Sequence, residues 1–334
     1  MAPVWAPTPS GEATQYPSLM PRLAIWAQPN QTRLLERALA EGPSDDRLEI
    51  ALVGCPDEHG AVALGTSLNT ESCTDLRDVL RSDVDVVWLA APRTLDADAR
   101  SLVRAATAPV ATSSPPPAAL SELLGEPDGG MPAVFIPLLR AGAAFQSAAA
   151  ALENFGTVHC VHVSSTAGDH QTSRASLALD AFDLVTHLLG EPDEIWAAHA
   201  GDLPVSPDPT VERSGHLTAA MRFGTERAAS ITVSDGGGTW VRRVVILGEG
   251  GRLIMTDEGV SWTDPEGVSQ EAPPTEGQVN AGELAGWHLR RLAAGRDMPR
   301  ISLEAAVVLE SARLSCLTRQ VEDPQHVRNM IDRR

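Results

Sequence analysis

Residues 84–90 read VDVVWLA, an apolar run that a single aspartate interrupts. A short run of this kind between polar residues is typical of a strand that is buried on both faces of a sheet. Two similar runs precede it, RLAIWA at 22–27 and LEIALVG at 48–54, and a shorter one follows at 109–112. The segments between them have the spacing of amphipathic helices. Strands that alternate with helices predict a Rossmann-like, doubly wound parallel sheet with right-handed crossovers.

The pattern changes after about residue 130. Residues 157–165 (TVHCVHVSS) alternate like a sheet strand, and residues 174–189 place apolar side chains along one helical face. Short strands joined by glycine turns follow, and helices are predicted near 281–295 and 302–319. We expect a C-terminal domain with an open antiparallel sheet and helices on one face.

The two patterns divide the chain into domains. We expect a disordered tail over residues 1–20, where prolines are frequent. A Rossmann-like nucleotide-binding-type domain should follow over residues 21–128, and a C-terminal α/β domain over residues 129–325. The closing helices of the second domain could dock on the first.

The charge and composition argue against several functions. The 334 residues carry a formal net charge of −18, and all 26 basic residues are arginine. An acidic surface of this kind argues against binding to nucleic acids or to anionic membranes. Because there is no lysine, neither a Schiff base nor a lysine acid or base can operate. We find no signal peptide and no apolar run of the roughly 20 residues that a membrane span needs, so we expect a cytoplasmic protein.

Two polar clusters are interpreted as structural, and no metal site is expected. The four cysteines are scattered without a CxxC spacing, which predicts reduced thiols rather than disulfides or structural zinc. Cys160 and His162 share one side of a strand, but zinc needs three or four ligands, so we interpret both as ordinary sheet residues. Arg242 and Arg243 alternate across another strand and are interpreted as a surface pair.

Three strings resemble the Gfo/Idh/MocA oxidoreductases, the family of glucose–fructose oxidoreductase and inositol dehydrogenase. Residues 82–92 (SDVDVVWLAAP) are similar to the end of that family's fourth strand, 180–192 (DAFDLVTHLLGEP) to its substrate-domain helix, and 244–262 (VVILGEGGRLIMTDEGVSW) to its sheet hairpins. The order of the parts is also that of the family, over roughly residues 21–325. The resemblance implies an NAD(P)-dependent oxidoreductase with a catalytic lysine and histidine.

The resemblance places the cofactor at the turn after the first strand, where the family carries a GxGxxG-type loop. Residues 27–32 read AQPNQT, so alanine, proline and threonine fill the three glycine positions. The candidate cofactor contacts, if a cofactor is bound, are Gln28 and Asn30 in this turn and Asp57 near the end of the second strand. Because these side chains add bulk and the proline lacks an N–H donor, we expect no cofactor, or NAD or NADP only if the chain is active.

The catalytic residues that the resemblance implies are also replaced. Ser113 and Ser114 stand at the family's Glu-Lys pair and are interpreted as solvated turn residues. Asp180 stands at the position of the catalytic histidine. An exposed aspartate has a pKa near about 4, which suits proton transfer at neutral pH poorly unless burial raises it by several units.

Ser176, Asp180, Asp183 and His187 form one polar stripe along the predicted helix, which we call the polar stripe. They are the candidate catalytic residues of a vestigial site. One interpretation is the wall of a retained pocket for a small polar ligand such as a sugar or polyol, with Asp183 and His187 paired. The other is a solvated helix face with an ordinary acid–histidine pair.

The leading hypothesis is a degenerate oxidoreductase-like protein, a pseudoenzyme that binds a small ligand or serves as a partner subunit. The alternative is an active NAD(P)-dependent oxidoreductase on a sugar or polyol, with an atypical cofactor loop and Asp180 as the proton relay. Whether the chain is an enzyme stays open on sequence grounds. We also expect a homo-oligomer, or a hetero-oligomer with a relative, through the C-terminal sheet, because residues 228–233 (AASITV) and 244–247 (VVIL) supply apolar side chains to it.

Overall fold

The computed structural model describes residues 20–40, 47–92, 94–115, 131–168, 172–202, 204–206, 214–271 and 280–332. The predicted tail over residues 1–20, except Met20, and the predicted domain boundary at residue 128 lie outside these ranges. Within them, no helix combines the length and the apolar character that a membrane crossing requires.

The N-terminal domain is built on a six-stranded sheet. Its strands are β1 (Arg22–Trp26), β2 (Glu49–Gly54), β3 (Glu71–Cys73), β4 (Val86–Leu89), β5 (Val110–Thr112) and β6 (Val134–Phe135). They pair in the order β3-β2-β1-β4-β5-β6, and each of these pairs is parallel. The predicted doubly wound parallel sheet is confirmed, because the apolar runs that suggested it are the buried strands.

In the described ranges, the helices that connect these strands are α1 (Thr32–Leu39), α2 (Glu58–Leu68), α3 (Leu76–Arg81) and α4 (Ala97–Ala105). The last three each begin at an aspartate whose carboxylate accepts a hydrogen bond from the first turn, namely Asp57, Asp75 and Asp96. The strand order reverses between β1 and β4. In open α/β sheets, ligands bind in the crevice outside the carboxyl ends of the strands at such a reversal. We call this the β1–β4 crevice.

The C-terminal domain contains two helices, α5 (Ala143–Leu152) and α6 (Arg174–Leu189), and an eight-stranded sheet. Its strands are β7 (Val158–Thr166), β8 (Glu194–Ala200), β9 (His216–Phe223), β10 (Arg227–Ser234), β11 (Val241–Gly248), β12 (Gly251–Thr256), β13 (Val260–Thr263) and β14 (Ser269–Glu271). The order is β14-β13-β12-β11-β7-β10-β9-β8. The sheet is mixed, because β7 and β10 at its centre are parallel while the other described pairs are antiparallel.

Three further helices follow the sheet: α7 (Ala281–Ala293), α8 (Leu303–Thr318) and α9 (Pro324–Asp332). Ser302 caps α8 by accepting a hydrogen bond from the N–H of Ala305 at 3.1 Å. α7 packs on α1 of the N-terminal domain, with two glycines at the contact. A Cβ at Gly286 would collide with the carbonyl of Ala38, so the two backbones approach more closely than a side chain would permit.

The two faces of the eight-stranded sheet differ. Helices α5, α6 and α8 contact the sheet. The apolar side chains that were expected to supply an outer face are in part buried, since Ile231, Val233, Val244 and Ile246 belong to the core. The alternate positions of the same strands carry mostly small and polar side chains, with exposed apolar ones at Trp196, Val241 and Leu247. The outer face is therefore only partly apolar.

Candidate functional site

The polar stripe of α6 does not form a solvated face. Ser176, Asp180 and Asp183 are buried, while His187 is exposed. The three buried side chains all bond to residues outside α6, which lie at the end of β5, in the segment that follows β6, and just before α8. The buried part of the stripe thus contacts other segments of the chain rather than solvent.

Asp180 is bonded through both of its carboxylate oxygens. Oδ1 accepts a hydrogen bond from the N–H of Leu139 at 2.7 Å, and Oδ2 accepts one from Nη1 of Arg242 at 2.8 Å. Its side chain is 5% exposed and that of Arg242 is 0% exposed. The two side chains therefore form a buried, charge-assisted contact, and neither oxygen of Asp180 is available to a substrate.

Arg242 on β11 joins two carboxylates. Besides Asp180, it donates from Nε to Asp257 at 2.9 and 3.1 Å and from Nη2 to the same carboxylate. Trp240 donates its indole N–H to Asp257 at 2.9 Å, and its ring centroid lies 5.1 Å from the guanidinium carbon. The carbonyl of Pro137 accepts a further bond at 3.3 Å. We call these residues the Arg242 network, and the earlier interpretation of Arg242 as a surface residue is wrong.

The charges in the Arg242 network do not balance, because one guanidinium faces two carboxylates. Burial raises the pKa of Asp180 to about 6, against the opposing pull of Arg242 and of the Leu139 N–H, while Asp183 adds a smaller repulsion. Burial alone would lower the pKa of Arg242, but the neighbouring carboxylates more than offset this and raise it. Burial thus raises the pKa of Asp180, as a proton relay would require, but both oxygens already have donors.

Asp183 is paired with Arg140 and not with His187 as expected. Nε of Arg140 lies 2.8 Å from Oδ2 and its Nη2 lies 3.2 Å from Oδ1, and the N–H of Ser302 donates to Oδ1 at 3.2 Å. His187 instead places its ring edge-on to Phe145, with centroids 5.7 Å apart. Partial burial and the charge of Arg140 lower the pKa of His187, against the pull of Asp183. His187 therefore does not line a pocket with the other three.

Ser176 bonds to the end of β5. Its hydroxyl donates to the carbonyl of Ser113 at 2.9 Å, and the hydroxyl of Ser113 accepts a bond from the indole of Trp88 at 2.9 Å. Ser114 is buried, with its N–H bonded to the hydroxyl of Thr112 at 3.2 Å. The positions of the family's Glu-Lys pair are thus held inside the fold and are not the solvated turn that we expected.

The described residues beside Asp180 line only a small cavity. The cavity that Ser176 and Asp180 line, together with Leu34, Pro137 and Trp240, has a volume of about 10 Å³. That is the room that a single water molecule needs. As lined by the described residues, this cavity is too small for a sugar or polyol.

Four N–H groups of the β1–α1 turn, residues 27–32, already have acceptors within the protein. Ala27 donates to the end of β2 at 2.9 Å, and Gln28 donates to the side chain of Gln31 at 3.0 Å. Pro29 has no N–H, Gln31 donates to the carbonyl of Gln28 at 2.9 Å, and Thr32 donates to that of Pro29. A glycine-rich turn would offer such donors to a pyrophosphate.

Gln31 closes the β1–β4 crevice, which the sequence did not indicate. Its side chain is buried, at 4% exposure, and its Nε2 donates to the carbonyl of Ala90 after β4 at 2.7 Å. Its Oε1 accepts the N–H of Gln28, so one amide joins the ends of both strands. The N–H groups of Ala90 and Ala91 also both donate to the backbone carbonyl of Trp26, at 2.9 Å each.

The other predicted cofactor contacts lie on this edge but are engaged or exposed. Asp57 accepts the N–H of Gly60 at 2.6 Å and so begins α2. Asn30 is exposed at the tip of the turn, and Gln28 is half-buried. That these three residues contact a cofactor stays a prediction. His162, considered above as a metal ligand, bonds through Nδ1 to the hydroxyl of Ser230 at 2.8 Å.

No family model and no curated protein matches the chain by sequence. Solved oxidoreductase structures match its fold. An oxidoreductase from Agrobacterium radiobacter, in complex with NAD+, L-tartaric acid and magnesium, is 16% identical, with a TM-score of 0.68 over 92% of this chain and 99% of that one. A myo-inositol dehydrogenase from Corynebacterium glutamicum is also 16% identical, with a TM-score of 0.62 over 91% and 99%. An NAD binding oxidoreductase from Klebsiella pneumoniae is 15% identical, with a TM-score of 0.65 over 91% and 99%.

These matches confirm the fold that the resemblance implied. The chain has the architecture of the Gfo/Idh/MocA-type oxidoreductases, at identities that mark it as divergent. They also correct the expectation of no cofactor. Structures with this fold include NAD-binding oxidoreductases, one of them with NAD+ bound, so that expectation is wrong. In the conformation seen, the turn does not fit a pyrophosphate until Gln31 moves.

Proposed function

We propose that the protein is a non-catalytic relative of the nicotinamide oxidoreductases and serves as a partner subunit. The observation that carries this proposal is the bonding of Asp180, whose two carboxylate oxygens are taken by Leu139 and Arg242. A group in the proton-relay position can accept a substrate proton only if it can reach that proton.

The residues at the two positions of the usual lysine and histidine also support the proposal. Oxidation of an alcohol by hydride transfer needs a group that accepts the hydroxyl proton. The chain has no lysine, and Ser114, at the family's lysine position, is a buried hydroxyl and a very weak base. Loss of one general acid or base typically costs about 10²–10⁴ in rate, and here the usual groups are both replaced.

A partner subunit fits the geometry better than a small-ligand-binding protein does. The cleft beside Asp180 has a cavity of about 10 Å³, too small for a sugar. The outer sheet face, in contrast, exposes the apolar side chains of Trp196, Val241 and Leu247. A stable oligomer through this face would bury more than roughly 1,000 Å².

The catalytic part is tested with an NAD(P)H absorbance assay against inositols, aldoses and sugar acids. We expect no turnover above background. Two variants decide between a dead site and the alternative of an active enzyme that uses Asp180. Asp180→Asn removes the candidate base, and Asp257→Asn perturbs the same network without touching that position. Turnover that is lost in Asp180→Asn and kept in Asp257→Asn would overturn the proposal.

The oligomer is tested by sedimentation at micromolar concentration. We expect the wild type to sediment as an oligomer and the double variant Trp196→Glu, Leu247→Arg to sediment as a monomer. Val62→Glu, at an equally exposed apolar residue on α2, is the matched control and should leave the oligomer intact. A monomeric wild type, or a double variant that still associates, would contradict the proposed interface.

A further inference from the structure

The β1–β4 crevice is closed from within by one side chain. The strand order reverses at this point, which makes it the ligand-binding edge of the sheet by geometry alone. Gln31 lies across it, with Nε2 bonded to Ala90 at 2.7 Å and Oε1 bonded to Gln28 at 3.0 Å. The side chain is buried, and its amide closes a capping box with Gln28 while it also bonds to the end of β4.

An amide suits this place because it presents a donor and an acceptor together. The donor meets a strand-end carbonyl, and the acceptor meets a turn N–H. A dinucleotide offers the same two kinds of group, since phosphate oxygens accept hydrogen bonds and ribose hydroxyls donate them. Gln31 thus satisfies in the free protein the backbone groups that a dinucleotide would satisfy in a complex.

We infer that Gln31 is an internal competitor for the dinucleotide at the β1–β4 crevice, so that its side chain sets the affinity of the protein for NAD(H). Removal of the Gln31 side chain has two effects, and both should increase the affinity for NAD(H). Removal of the side chain frees the volume, and it leaves Gln28 and Ala90 without their partners in the free protein, which favours any ligand that supplies them. Pro29 and Thr32 are unchanged in such a variant, so the effect of Gln31 is separated from that of the missing glycines.

Calorimetric titration with NADH, together with the change in NADH fluorescence, tests the inference. We expect Gln31→Ala to bind NADH at least about tenfold more tightly than the wild type. Gln31→Leu keeps the volume and loses the hydrogen bonds, and we expect it to stay within a few-fold of the wild type because the crevice is still filled. Glu36→Gln, on the exposed face of α1, is the control and should leave affinity unchanged.

Unchanged NADH affinity in Gln31→Ala would overturn the inference, as would equal gains in Gln31→Ala and Gln31→Leu. If Gln31→Ala does not fold, Gln31→Ser carries the same test, because its hydroxyl is shorter and can still accept a hydrogen bond from Gln28. Circular dichroism and thermal unfolding establish the fold of each variant. Binding is the readout, so the result does not depend on whether the protein catalyses a reaction.

Discussion

The two ends of the cleft between the domains are closed by different chemistry. At the β1–β4 crevice a neutral amide, Gln31, makes two hydrogen bonds to backbone groups. At the polar stripe, Asp180 and Asp183 are each held by an arginine and are almost fully buried. A neutral hydrogen bond is exchanged for water or ligand at modest net cost, whereas a buried charge that loses its partner is strongly destabilising. We therefore expect the crevice to open for a ligand and the stripe to stay closed.

The largest effect should come from the centre of the Arg242 network. Arg242→Met leaves Asp180 and Asp257 buried without a cation, and we expect the free energy of unfolding to fall by about 3–5 kcal/mol. Urea unfolding measures this. Arg243→Met, one residue further along β11 and on the exposed face, is the matched control and should change stability by less than about 0.5 kcal/mol. Similar losses in both variants would contradict the role of Arg242.

The pH dependence of stability should report the raised pKa of Asp180. Its pKa in the fold is about 6, above its ordinary value of 3.8, so protonation favours the folded state. Its contribution is fully present below about pH 4 and is lost as pH rises through about 6. The stability of the wild type relative to Asp180→Asn should fall by on the order of 2–3 kcal/mol between pH 4 and pH 7. A difference that is flat over this range would show that Asp180 keeps an ordinary pKa.

The contact of α7 with α1 should be sensitive to volume alone. Gly286→Ala places a methyl group against the carbonyl of Ala38, and we expect a loss of about 1–3 kcal/mol. Thermal unfolding measures it. Gly236→Ala, whose Cβ would have no neighbour nearer than 4.0 Å, is the control and should be close to neutral. Neutral effects of both substitutions would contradict the close approach of the two helix backbones.

The smallest effect concerns the exposed end of the polar stripe. Because the ring of His187 is partly buried and lies near Arg140, which pairs with Asp183, its pKa should lie below its ordinary value of 6.5. Proton NMR titration measures it, with His187→Gln to assign the resonance. Asp183→Asn should lower it further, because it removes the attraction that opposes Arg140. A pKa above 6.5 would instead restore the acid–histidine pair that the sequence suggested.

Local patterns predicted the fold well and the site only in part. The strands β1, β2 and β4 are continuous apolar runs, and the polar stripe is a helical repeat, so each is visible in a short window. The residues that bond to the polar stripe are not visible in a short window, because Arg242 lies 62 positions from Asp180 and Ser113 lies 63 from Ser176. Alternation along β11 requires either Arg242 or Arg243 to face inward, which was the available signal for a buried arginine. Gln31 carried no signal, since a turn glutamine is usually solvated.

The parallel pair at the centre of the eight-stranded sheet constrains the order in which the chain can fold. β7 is made first, but its two neighbours, β10 and β11, are complete only at Ser234 and Gly248. Until β10 and β11 pair with β7, both of its edges lack hydrogen-bond partners. Asp180 also lacks Arg242, the cation on β11 to which it bonds when buried. Distant pairings of this kind slow folding, because the loop must close before the contacts form. We expect pulsed hydrogen exchange during refolding to show β7 and β11 gaining protection together, and separate protection of β7 alone would contradict this order.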